Sequence, residues 1–196
     1  MVPVACLAVW FAVWALCAIS PQNRSDWLLE NLLSFATVGT LVATFRRFRF
    51  SDRSYLQITF FMLLHAIGGH YTYARVPLGD WLEDAFGLAR NHFDRLVHFS
   101  FGLLWVRPLR ELGFRNSRMG PIAQLYFSVA GIGLFSMGYE ILEWLVAAIV
   151  DPSAGTAYLG TQGDEWDAQK DMGAALVGAL AASLFQFGRD GRATTK

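Results

Sequence analysis

Residues 121–150 read PIAQLYFSVAGIGLFSMGYEILEWLVAAIV, a run whose only charged side chains are Glu140 and Glu143. A helix crosses the roughly 30 Å of hydrocarbon in a bilayer with about 20 apolar residues, and this run is longer than that. Its two acids stand three residues apart, and ionisable groups at membrane depth are costly unless they are paired. The stretch predicts a membrane span that carries part of a polar site.

Further apolar runs cover residues 3–20, 27–45, 54–74, 92–107 and 172–188. A chain of 196 residues with 54% hydrophobic and only 16% charged content is too apolar for a soluble domain of that size. The expected fold class is all-α: a polytopic membrane protein, a bundle of about six transmembrane helices forming a single integral membrane domain over residues 1–196. The first run lacks a basic leader and an A-x-A-like cleavage site, so it is expected to stay as a helix. Cys6 and Cys17 both lie in it, about 16 Å of helix rise apart, too far to pair.

Charge sets the orientation. Arg46, Arg47, Arg49 and Arg53 fill one connection, Arg107, Arg110, Arg115 and Arg118 the next but one, and Arg189, Arg192 and Lys196 the tail. Positive loops mark the cytoplasmic side, so both termini are expected there, in a bacterial inner membrane. Among the acids only Asp52, Glu111 and Asp190 share that side. The acidic excess opposite is not required by the sorting rule and calls for another cause.

Four polar groups recur along the chain. Gln57, Phe61, His65 and Gly68 share a helix face, with His70 turned away from His65 by roughly 140° unless Gly68 and Gly69 break the helix. The plainer role of both histidines is a bond to a carbonyl or hydroxyl. Asn91, Asp94 and His98 stand at i, i+3 and i+7, and Asp94 with His98 form an i, i+4 pair that can chelate a metal or orient an imidazole. Ser136, Glu140 and Glu143 lie on one side of the 121–150 run. Asp164, Asp167 and Asp171 share a face before a helix expected from Met172, continued by Ala174, Ala175, Gly178 and Ala182, a stripe suited to close packing. Capping by Asp164 is the ordinary alternative there. The loop 70–81, with Tyr71, Tyr73 and Trp81, suits the headgroup layer.

The strings His65-Ala66-Ile67-Gly68-Gly69-His70-Tyr71-Thr72-Tyr73, Arg90-Asn91-His92-Phe93-Asp94-Arg95-Leu96-Val97-His98-Phe99, Tyr139-Glu140-Ile141-Leu142-Glu143-Trp144 and Leu159 through Asp167 to Asp171-Met172 resemble the YjdF-like bacterial inner-membrane proteins, a family of uncharacterised function. The likeness runs from about residue 25 onward. More distantly, Asp94-Arg95 and His98, then Glu140 and Glu143, then Asp164, Asp167 and Asp171 resemble the order of polar landmarks in VanZ-like membrane proteins, which commonly read Asp-Lys at the first of these. The first resemblance implies architecture alone, the second a role in the cell envelope.

Three functions fit the residues. In the first, His98, Glu140, Asp167 and Asp171, with His65, His70 and Asp164 as further ligand candidates, hold a divalent metal (Zn, Mn or Fe). The ion would activate water or a hydroxyl toward a lipid or lipid-linked substrate, with Glu143 as general base, Arg95 on an anionic headgroup and Asp94 beside His98. In the second, His65, Glu140 and Glu143 relay protons in a transporter, which the lack of internal duplication disfavours. In the third, the cluster is a set of interhelical ion pairs in a binding or structural protein. No P-loop, dinucleotide fingerprint, G-x-S-x-G or H-E-x-x-H is present. The scattered arginines form no nucleic-acid-reading module; membrane lipid is the partner expected, and oligomeric state stays open.

Overall fold

The computed structural model describes residues 1–116, 119–149 and 159–193. Among them are seven helices and no strand: α1 (Val2–Cys17), α2 (Arg24–Thr44), α3 (Asp52–His70), α4 (Pro77–Phe86), α5 (Phe93–Asn116), α6 (Pro121–Ile149) and α7 (Asp167–Ala193). The starts follow local chemistry. The Asn23 side chain accepts from the amides of Ser25 (2.9 Å) and Asp26 (3.3 Å), Ser51 caps α3 through Ser54, and proline opens α1, α4 and α6. Two of these helices, α2 and α6, are long and apolar enough to cross a bilayer; α1 is apolar but shorter.

The chain divides into two compact units, Met1–Asp94 with Val146–Asp164, and Arg95–Leu145 with Glu165–Lys196. In the first, α1 and α2 both pack on α3. Tyr55, Ile58, Met62 and Ala66 line the buried stripe of α3 at three- and four-residue spacing. Trp14 stacks between Trp10 (6.0 Å) and Trp27 (5.9 Å) and donates its indole N–H to Asn31 Oδ1. The corner between α1 and α2 is fastened to the end of α3: Gln22 N–H donates to the His70 carbonyl at 3.0 Å, and His70 Nδ1 donates to that of Cys17 at 2.8 Å.

The loop reading of residues 77–86 is corrected. They form α4, started by Pro77 and ended by Gly87 in the left-handed region at φ 61°, where a Cβ would be strained. Its Leu78, Trp81 and Phe86 are exposed, whereas Gly79 is buried against the amide of Asn91, which a Cβ there would overlap.

In the second unit α5 and α7 approach at backbone distance. A Cβ on Gly102 would overlap the Ala175 carbonyl, and one on Gly178 would overlap that of Phe99. Around this seam Val106, Leu109, Ile132, Ala175, Ala179 and Ala182 make the core. On α6 the buried positions are Gln124, Ser128, Ile132 and Ser136, a ridge at spacing four that leads on to Glu140.

Small polar side chains share the interior with the apolar core, and large apolar ones face outward. Ser34, Ser54, Ser128 and Ser136 are buried, while Leu134, Phe135, Leu142, Leu180 and Leu184 are more than half exposed. An apolar exterior around polar helix contacts is the solution a hydrocarbon solvent imposes.

Candidate functional site

The second unit gathers the chemistry. Arg95, on the first turn of α5, donates from Nη2 to Asp167 Oδ1 at 3.1 Å, and its Nε stands 3.8 Å from Asp171 Oδ1. Asp167 and Asp171 are one turn apart on α7 and keep only 5% and 3% of their side-chain surface, and the Arg95 guanidinium lies within ion-pair distance of both. Helix α7 starts at Asp167, five residues before the expected Met172, because an acid in the first turn suits the positive end of a helix. That places Asp171 a full turn inside the helix. Asp164 lies three residues before the helix start.

One turn below Arg95, His98 is buried. Its Nδ1 lies 3.3 Å from Ser136 Oγ, and its ring meets Tyr139 edge-on at 6.2 Å. Nε2 stands 3.3 Å from Glu140 Oε1, within ion-pair distance, and Oε1 is buried and accepts no hydrogen bond among the described residues. Asp171 and, more weakly, Asp167 act on Glu140 as like charges. Glu143 is half-buried one turn further along α6, and Asp94 occupies the first turn of α5. The arrangement can hold a cation between imidazole and carboxylate, or move a proton between them.

The other candidates belong to the first unit. His65, 2% exposed, donates from Nε2 to the Glu30 carbonyl at 3.0 Å and accepts at Nδ1 from the Tyr73 hydroxyl at 2.5 Å, so both ring nitrogens are engaged. His70 turns to the Cys17 carbonyl, and the two histidines do not share a site. Asp164 lies 3.9 Å from the buried Arg90 guanidinium, which also donates to the Thr161 (3.0 Å) and Gly160 (3.3 Å) carbonyls. Asn91 exchanges hydrogen bonds with Gln162 and donates to the exposed Asp80 at 2.7 Å. Tyr73 was not legible as the partner of His65. It reaches back through Thr72 and Tyr73 themselves in left-handed backbone, φ 56° and 50°, and its ring fills the space that a Cβ on Gly68 would need.

Apolar exterior, buried polar stripe and buried acids together describe a helical membrane protein, and comparison with known proteins agrees. Residues 2–192 match the family described as "Predicted membrane protein (DUF2238)". The chain belongs to that family. It is 37% identical over 168 residues to "Inner membrane protein YjdF" of Escherichia coli (strain K12), a match covering 85% of this chain and 80% of that protein. The YjdF-like resemblance read from the four strings is thereby shown. No solved structure matches.

Proposed function

We propose that this DUF2238 protein is a multi-pass inner-membrane protein, with about six crossing helices, cytoplasmic termini and α4 lying in the outer headgroup layer. It binds a divalent cation (Zn, Mn or Fe) near the extracytoplasmic face and uses it on a phosphate or acyl group of a lipid or lipid-linked envelope precursor. Glu140 Oε1 carries the reading: a buried carboxylate oxygen with no hydrogen-bond donor, 3.3 Å from His98 Nε2. Two ligands about 2.0–2.1 Å from one tetrahedral ion stand about 3.3 Å apart, so this spacing suits a shared cation. The charge balance supports it too. Glu140, Asp167 and Asp171 bring three carboxylates together around Arg95, a like-charge repulsion that a divalent ion would relieve.

In this reading His98 and Glu140 are the first ligands, with Asp167 or Asp171 completing the set. Glu143 is the general base on α6, and Ser136, whose Oγ lies 3.3 Å from His98 Nδ1, orients the imidazole in place of Asp94. Arg95 exchanges one aspartate for an anionic headgroup when substrate enters. The distant resemblance of the landmark order to that of VanZ-like proteins favours an envelope substrate. His65, His70 and Asp164 are left to the bonds that already engage them.

Elemental analysis of protein purified in mild detergent tests the proposal. A bound divalent ion is expected in the wild type and absent from His98→Ala and Glu140→Gln proteins of unchanged helicity. The 3.1 Å bond from Arg95 to Asp167 favours a second reading, an interhelical ion-pair scaffold. A metal-free, fully stable native protein leaves that one standing.

A further inference from the structure

Away from this site, the first unit holds a cavity of about 220 Å³ between α1, α2 and α3. Cys6, Trp10, Val38, Ile58, Met62 and Tyr55 are among its walls, which are almost wholly apolar. A cavity of that character does not hold water: engineered apolar cavities of about 150 Å³ stay dry and take up hydrocarbon instead. Val4 and Val42 also line it and are 69% and 57% exposed, so it opens sideways along the lipid-facing surface.

Its rim is basic. Phe45 closes the cavity at the end of α2, and the chain then runs through Arg46, Arg47, Arg49 and Arg53, all exposed. Aromatic contacts pin this turn to the cavity. Phe45 and Phe50 both pack on Tyr55, at 6.3 and 6.0 Å, and the Arg49 guanidinium lies over the Phe45 ring at 5.8 Å. Of the four arginines only Arg49 pairs with an acid among the described residues, Asp52 at 3.4 Å. An apolar slot open to hydrocarbon, with the exposed Arg46, Arg47 and Arg53 within two residues of its walls Phe45 and Tyr55 along the chain, suits a molecule that is a long alkyl chain at one end and a phosphate at the other.

We infer that this cavity binds one acyl chain of an anionic phospholipid whose phosphate is held by Arg46, Arg47 and Arg53. The lipid is a bound component of the α1–α3 unit, separate from any substrate of the acidic site.

The test reconstitutes the full chain in phosphatidylcholine vesicles doped with phosphatidylglycerol carrying a photoreactive diazirine at the acyl end, and maps labelled residues by mass spectrometry. A matched phosphatidylcholine probe is the control. Labelling of the cavity walls, Cys6 and Met62, is expected to be several-fold stronger with the phosphatidylglycerol probe. Val38→Trp, which fills the slot, should remove that labelling and leave that of the exposed α6 positions Leu134 and Phe135 unchanged. The combined Arg46→Gln, Arg47→Gln and Arg53→Gln protein, altered only at exposed positions, should lower phosphatidylglycerol labelling to the level of the control probe. Equal labelling of the walls by both probes, or labelling of the walls that persists in the filled variant, overturns the inference.

Discussion

Arg95 faces both buried aspartates of α7. Removing one member of a buried ion pair costs about 3–5 kcal/mol, because the remaining charge has no compensation. Arg95→Met should therefore destabilise the protein by that order, read as a large fall in the detergent unfolding midpoint. Adding Asp167→Asn and Asp171→Asn to the same chain should recover most of the loss, since the uncompensated carboxylates go with their partner. At this scale the sequence was partly legible. Asp167 and Asp171 declared a shared face by spacing alone, as did Ser136 and Glu140, because a regular helix converts residue number into direction. Arg95 as the group facing the aspartates, and Tyr73 as the group facing His65, did not follow from any period. One comes from another helix and the other through a turn whose left-handed residues, a threonine and a tyrosine, break the usual preference for glycine.

The helices show the same division. Runs of apolar residues located α1, α2, α3, α5, α6 and α7, whereas α4 was missed because ten residues with acids at positions 80, 83 and 84 look like a loop until the Pro77 start and the Gly87 stop are taken together. If α4 lies in the headgroup layer, Trp81 fluorescence should be quenched strongly by lipids brominated near the glycerol and weakly by those brominated at the chain end. Within α7 the glycines separate packing from propensity. Gly178 touches the α5 backbone, so Gly178→Leu should force the helices apart and cost about 1–3 kcal/mol or more, as overpacking does. Gly173 on the same helix has open space at its Cβ, so Gly173→Ala should be neutral or stabilising by up to about 1 kcal/mol. Thermal unfolding of the two variants side by side checks the contrast.

For the molecule as a whole, composition alone announced a lipid solvent, and the apolar exterior with its buried serines is the structural form of that statement. The orientation argued from arginine placement predicts that a reporter active only in the cytoplasm works when fused to either end, and that one active only outside fails at both. A reporter active outside at either end would reverse the assignment. The pair of bonds joining the α1–α2 corner to His70 has a consequence for how the protein is made. Neither Gln22 nor the Cys17 carbonyl can find its partner until residue 70 has been synthesised, and at about 5–20 residues per second that interval lasts seconds. The first two helices therefore leave the ribosome as an unfinished hairpin, and the arrival of the third completes it.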